Sequence, residues 1–383
     1  MLENLKESKT KLDRITMAME GKPTDTTPVL SLADAFVVTR LGKSVGDAWT
    51  KDPRILIDAW KKYNQDFYSD GAFATGNNVP LKVMWNLGGS QSNLVGDSLQ
   101  IEGGSGNTME PEEYPELIAD PYKFILEKIL PRKFPVFTDN YTTASLLAES
   151  AMGIAKWQMY EKISIAGIEA AGLPVICRGG TFLPGDIVLD FLRDFVGVSS
   201  DLHRHKDELL EAITALYPLT LDFAKSGGSR DGKHCVWVPL HLPTYLRPKQ
   251  FETFYWPFMK QFVSDMNADG YRVMIFCENE WGPYLEYLKD LPAGPNSYIF
   301  EKGDLVACRE AIRGKGAFIG GMPVDLLKRG TKEECIDHAK KVLDELGGPG
   351  FIFSTDKNIL YTSDIKEENF AAVCEYVHIH GRM

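Results

Sequence analysis

Short apolar runs bounded by glycine and proline recur along the chain, and stretches of helical spacing separate them. His234 to Leu240, Tyr271 to Cys277, Ser297 to Phe300, Ala317 to Gly320 and Gly350 to Phe353 are the clearest runs, and each reads as a strand. Pro248 to Ala268, Gly282 to Leu291, Gly303 to Arg313, Lys332 to Leu346 and Lys366 to Ile379 carry helical patterns between and after them. The first half alternates in the same way. Pro28 to Ser31, Phe67 to Thr75 and Pro174 to Arg178 read as strands. Asp52 to Asp66, Asp120 to Leu130, Ala144 to Ala171, Ile187 to Val196 and Lys206 to Ala224 read as helices. Short apolar runs separated by helical lengths indicate a parallel sheet covered by helices. The eight strands, near residues 28, 68, 174, 235, 272, 298, 317 and 351, predict an α/β fold, a closed (β/α)8 TIM barrel forming a single domain over residues 1–383. A short amphipathic helix stopped by Gly21 and Pro23 precedes the first strand as an N-terminal helical extension. Residues 76 to 110, rich in Gly, Ser and Asn, predict a hairpin insertion outside the barrel wall. No glycine-rich phosphate loop follows a strand, which argues against an open dinucleotide-binding sheet.

Charge and composition narrow the partners. The net charge is -11, which repels nucleic acid and anionic membrane surfaces. No apolar run approaches the length of a membrane span. The opening segment carries Glu3, Lys6, Glu7, Lys9, Lys11 and Asp13 and no apolar signal core, so a cytoplasmic location is expected. The six cysteines form no CxxC pair and read as reduced thiols.

A barrel of this kind builds its site at the C-terminal ends of its strands, which turns the strand list into a list of candidates. Glu278 and Glu280 follow an apolar strand directly, and a carboxylate desolvated there can act as an acid or bind a cation. The plainer role for one of them is to cap the next helix or pair with Lys302. His241 ends its strand and is a candidate acid/base, against a plain hydrogen bond to a backbone carbonyl. His203 and His205 sit beside a helix start among charges and read as solvated. Asn77, Asn78, Arg178, Asp356 and Lys357 follow other strands and are candidate substrate contacts. His241, Cys277 and Glu278 offer N, S and O donors for a zinc ion, although adjacent strand residues point to opposite sides.

Three segments carry a family resemblance. The opening KLDRITMAMEGKPTDTTPV, the segment EEYPELIADPYKFILEKILPRKFP and the closing IGGMPVDLLKRGTKEECIDHAKKVLDELGGPGFIFSTDKNI resemble the corresponding parts of the uroporphyrinogen decarboxylase superfamily, which includes the corrinoid:coenzyme M methyltransferases. The resemblance spans nearly the whole chain. Decarboxylases of this superfamily hold substrate carboxylates with an arginine-rich segment of the form M-R-Q-A-G-R-Y after the first strand. Here Leu30 to Arg40 keeps only Arg40 and adds Asp34. The zinc methyltransferases carry H-x-C at one strand end and G-C-G near the end of the chain. Here those places read Ile275, Phe276, Cys277 and Phe353, Ser354, Thr355, Asp356. Glu278 followed by YLEYLKDLP looks more like a branch of anaerobic bacteria associated with corrinoid-dependent demethylation.

The resemblance thus implies a methyltransferase that moves a methyl group between a small molecule and a corrinoid held by a partner protein, with a zinc ion admissible although its familiar ligand motif is incomplete here, and a homodimer as an admissible assembly. The alternatives it implies are a decarboxylase acting on a porphyrinogen and a non-catalytic barrel that binds a corrinoid or another tetrapyrrole.

Overall fold

The computed structural model describes residues 2–77, 79–88, 92–95, 98–101, 108–134, 136–137 and 140–382. Ten strands are assigned among them: β1 (Leu30–Ser31), β2 (Gly71–Ala72), β3 (Ser92–Val95), β4 (Ser98–Ile101), β5 (Cys177–Gly180), β6 (Cys235–Leu240), β7 (Arg272–Glu280), β8 (Asn296–Lys302), β9 (Gly316–Met322) and β10 (Phe351–Thr355). Strands β5 to β10 form one parallel sheet in sequence order, and β1 pairs in parallel with β2. Parallel bridges at Val29–Phe353 and Ala72–Val175 join the two sheets at both edges, so the strands close into the expected ring. The amide of Phe353 donates to Pro28 O at 2.8 Å, and that of Ala72 donates to Pro174 O at 2.9 Å. Strands β3 and β4 pair antiparallel in a sheet of their own, which is the hairpin the sequence placed outside the wall. No helix of the described residues is long and apolar enough to cross a membrane.

Side chains alternate across the wall with the period of two that strands impose. On β7, Val273, Ile275 and Cys277 join the large apolar layer shared with the surrounding helices, while Met274 and Phe276 join a second cluster. That second cluster draws Leu30, Leu32, Phe73, Cys177, Cys235, Ile299, Ala317, Ile319 and Ile352 from around the ring, so it fills the barrel lumen. The helix Leu2–Met19 closes the N-terminal end, with Ile15, Ala18 and Met19 buried in the same cluster. Its Arg14 is bonded to Asp25 at 2.7 Å and to the fully buried Asp70, whose other oxygen accepts the Val29 amide at 2.9 Å.

Several elements differ from the sequence expectation for local reasons. The opening helix is longer than its pattern suggested, because its charged first half carries little amphipathic signal. Pro248 to Ala268 splits into Pro248–Phe254 and Trp256–Ala268, since Pro257 has no amide to continue the first helix. Only Gly71–Ala72 of the second strand pairs. Ile187 to Val196 is a π-helical turn, Val188–Arg193, that breaks at Asp194 with φ +53° before a new helix begins.

Two consequences for stability follow. Asp70→Ala removes the shared partner of Arg14 and the Val29 amide at the seal of the barrel. It should destabilise the fold by about 3 kcal/mol, the scale of breaking a buried pair, as measured by urea unfolding; a midpoint equal to wild type would remove Asp70 from the seal. Glu161, on the helix Asn140–Ala170, accepts the Thr75 hydroxyl at 2.8 Å. Burial pushes its carboxyl from 4.5 up to about 7, although the Thr75 hydrogen bond and the charge of Arg178 act to lower it. The stability contributed by this raised value is complete below about pH 4.5 and is lost as pH rises through about 7. Glu161→Gln should flatten that part of the stability–pH curve; an unaltered slope would show that the group is not buried as described.

Candidate active site

The inward series of β6 runs Cys235, Trp237, and beyond the strand end it reaches His241; the inward series of β7 runs Met274, Phe276, Glu278. Parallel pairing sets Leu240 beside Cys277, so His241 and Glu278 arrive together at the mouth. His241 Nε2 lies 3.4 Å from Glu278 Oε1, and His241 Nδ1 donates to Asp190 Oδ2 at 2.7 Å. Asp190 comes from the π-helical turn after β5. Burial opposes a charge on the imidazole, but the hydrogen bonds with Asp190 and Glu278 outweigh it and raise its pKa to about 11. The ring is therefore an imidazolium throughout the neutral range, with one N–H fixed on Asp190 and the other facing Glu278.

Aromatic rings surround this group. Phe182 meets the imidazole edge-on at 5.6 Å and Phe191 at 5.3 Å. Lys133 Nζ lies 5.0 Å from the Phe191 centroid; burial lowers its pKa to about 8, with the Asp190 charge acting the other way. Within the lumen, Trp237 stacks on Phe276 at 5.5 Å and takes the edge of Phe73 at 4.4 Å. The lumen beneath the ionic group is thus apolar and close-packed, which withholds solvent from one side of the His241–Glu278 pair.

The other strand-end candidates divide. Glu280 turns away from His241: its Oε1 accepts the Gly282 amide at 3.2 Å, the capping role that competed with catalysis. The cause is a register irregularity between Cys277 and Glu280, with Asn279 at φ +57°. This bend is pinned where Asn279 N donates to Glu301 Oε2 at 2.8 Å and Trp281 Nε1 donates to Glu278 O at 3.0 Å. Lys357 and Lys302 each lie 3.8 Å from Glu301 Oε1, so Lys357 does reach the strand ends. Asp356 accepts the Val324 amide at 3.0 Å, and burial raises its pKa; it caps the turn after β9. Asn77 is buried and accepts Trp157 Nε1 at 3.2 Å through its carbonyl and its amide oxygen. Asn78 lies outside the described residues. Arg178 is spent on Glu169 of the long helix and on His234 at 3.4 Å, and is not brought to His241.

The zinc set of His241, Cys277 and Glu278 does not assemble. Cys277 belongs to the outward series, is fully buried in the helix-facing layer, and burial holds its thiol well above its usual pKa. Among the described residues, no group of three His, Cys, Asp or Glu side chains is placed to hold a metal ion. A cavity of about 700 Å³, bordered by Glu20, Arg309, Arg313, Gly316 and Gly350, opens at the opposite, N-terminal end of the barrel and has no part in this arrangement.

Sequence reasoning passed over Asp190 and its neighbour Asp186. The available signal was two aspartates four residues apart behind Pro184, just past a strand end, a spacing that puts both on one face of a helical turn.

Comparison with known proteins agrees with this architecture. No curated protein sequence matches the chain. Its fold is similar to that of a methyltransferase from Methanosarcina mazei, with a TM-score of 0.66 and 16% identity, covering 96% of this chain and 98% of the other. The profile of the uroporphyrinogen decarboxylase (URO-D) family matches residues 187–380, a span that holds Asp190, His241 and Glu278. On that match the chain belongs to the uroporphyrinogen decarboxylase family.

Proposed function

We propose that the protein is a methyltransferase that moves a methyl group between a small molecule and a corrinoid carried by a partner protein. The observation that carries this reading is the His241 imidazolium held between Asp190 and Glu278 at the barrel mouth. Cleaving a methyl–oxygen or methyl–nitrogen bond loads charge onto the leaving atom, and a positioned N–H stabilises it. His241 Nε2–H can donate to that atom while Asp190 keeps the ring oriented. Asp190 and Glu278 keep the proton on the ring at rest, so it is available when the leaving atom gains charge. Glu278 receives the same N–H in the resting state and can hold the substrate beside it. The side chains of His241 and Glu278 are 30% and 28% exposed, so a second reactant can approach from outside the barrel. A corrinoid brought to the mouth by a partner protein would supply the cobalt that exchanges the methyl group. The methyltransferase from Methanosarcina mazei with the same fold supports the assignment.

A porphyrinogen decarboxylase reading is weaker on one specific ground. Arg40, the remaining arginine of the first-strand segment, is 7% exposed and committed to Asp66 at 2.9 Å and Glu367 at 2.6 Å. It cannot also clamp substrate carboxylates. A non-catalytic binder has no use for a half-buried, charged histidine whose second N–H faces Glu278 at the mouth.

Glu278→Gln should keep the fold and lower methylation of added cob(I)alamin, followed by its absorption spectrum, by a factor on the order of 100. Glu280→Gln should leave the rate within about twofold, since its carboxylate serves a backbone amide. Full activity in Glu278→Gln would move the site elsewhere. Uroporphyrinogen should not be converted at a useful rate; rapid release of carbon dioxide from it would replace the methyltransferase reading with the decarboxylase one.

A further inference from the structure

We infer that Asp186 is a positioning residue for His241, and that one helical segment after β5 fixes both the backbone and the ring of that histidine. This inference rests on His241 being the proton-bearing group of the mouth, as proposed above.

Strand β6 ends at Leu240, where its register with β7 also ends at Cys277. The next amides, of His241 and Leu242, therefore leave the sheet and need other acceptors, because unpaired backbone groups are costly in a buried setting. Asp186 Oδ1 accepts both, from His241 N at 3.0 Å and from Leu242 N at 2.7 Å. Its Oδ2 accepts the Tyr255 hydroxyl at 2.6 Å. Tyr255 sits at the break between Pro248–Phe254 and Trp256–Ala268, so this one carboxylate ties together three parts of the chain.

Asp186 lies on the short helix Pro184–Ile187, which runs directly into the π-helical turn Val188–Arg193, and Asp190 on that turn, four residues further on, takes the imidazole Nδ1. Two carboxylates on this continuous segment thus hold the histidine twice, by its peptide and by its ring. The close fit depends on Gly185. A Cβ there would stand 3.1 Å from both Leu242 Cδ2 and Tyr255 Cδ2, closer than ordinary contact. Asp186 itself is fully buried and cannot touch a substrate. Burying a carboxylate is unfavourable, and here it pushes the pKa up to about 7 despite its hydrogen bonds and the nearby His241 charge. A group placed at that disadvantage, beside a strand end that carries the mouth's only described imidazolium, has geometry as its return.

The inference predicts that losing Asp186 frees the 241–242 peptide, loosens the ring from Asp190 and Glu278, and lowers the pKa of His241. Histidine-selective 15N labelling of the full chain reads this directly, with the His241 resonance assigned by its loss in His241→Gln. In Asp186→Ala the imidazole should titrate at least about 1 pH unit lower than in wild type, the scale of one lost charge-stabilising contact. Turnover should fall about tenfold or more with KM nearly unchanged, the pattern of a displaced reacting group. Asp186→Asn keeps an oxygen for the two amides and should restore most of the titration and the rate. Should Asp186→Ala fail to fold, Tyr255→Phe and Gly185→Ala take its place, each expected to lower the His241 titration by a smaller amount. An unchanged His241 titration in whichever of these variants folds overturns the inference. If the titration shifts as expected but neither wild type nor any variant methylates cob(I)alamin, the positioning role stands and the methyltransferase proposal falls.

Discussion

The inward and outward alternation of β7 is the constraint from which the mouth is built. Met274 and Phe276 must point into the lumen because the lumen is filled with side chains from every strand of the ring. With those two fixed, Glu278 has to face inward and Cys277 outward. A slip of one residue would exchange them, exposing a thiol to the mouth and burying a carboxylate among the helices, which the desolvation of a charge forbids. Packing far below the site therefore decides which functional group is presented at it.

The charge arrangement at the mouth follows from that placement. An imidazole taken out of water ordinarily loses its proton. Here carboxylates stand at both ring nitrogens, and their combined effect reverses the sign of the shift. The pairing neutralises His241 locally, so the mouth can hold a fixed cation without presenting a bare charge to an apolar lumen. On the far side, Glu301 does similar work between Lys302 and Lys357, while its other oxygen pins the bend at Asn279. The same carboxylate thus serves electrostatics and backbone shape together.

Most of the barrel could be read from the sequence because parallel strands buried on both faces announce themselves as continuous apolar runs, as in Tyr271 to Cys277 and Ala317 to Gly320. The second strand was overdrawn because Phe67 and Phe73 are apolar for reasons of packing, while the register with β1 covers only Gly71 and Ala72. His241 and Glu278 were found by the strand-end rule alone. The rule could not separate Glu278 from Glu280, because the choice depends on a left-handed residue, Asn279, whose conformation has no strong composition signal. Asp190 was missed for a different reason. It lies in a segment whose helical pattern looks ordinary, and the π turn that aims it at His241 becomes visible only in three dimensions. Arg178 and Asn77 carried the right residue types after strands, yet long-range partners on the helix Asn140–Ala170 claimed them.

The plug formed by Ile15, Ala18 and Met19 has a kinetic side. Among the described residues, the helix packs Ile15, Ala18 and Met19 into the apolar lumen cluster, so the His241–Glu278 pair is reached from the C-terminal mouth and not through the lumen. Under the proposed function, the methyl donor and the methyl acceptor would both use that opening. Two bulky reactants cannot enter such a doorway independently, so they would have to take turns or to stack one behind the other. The order of arrival and departure would then be imposed by the shape of the scaffold itself.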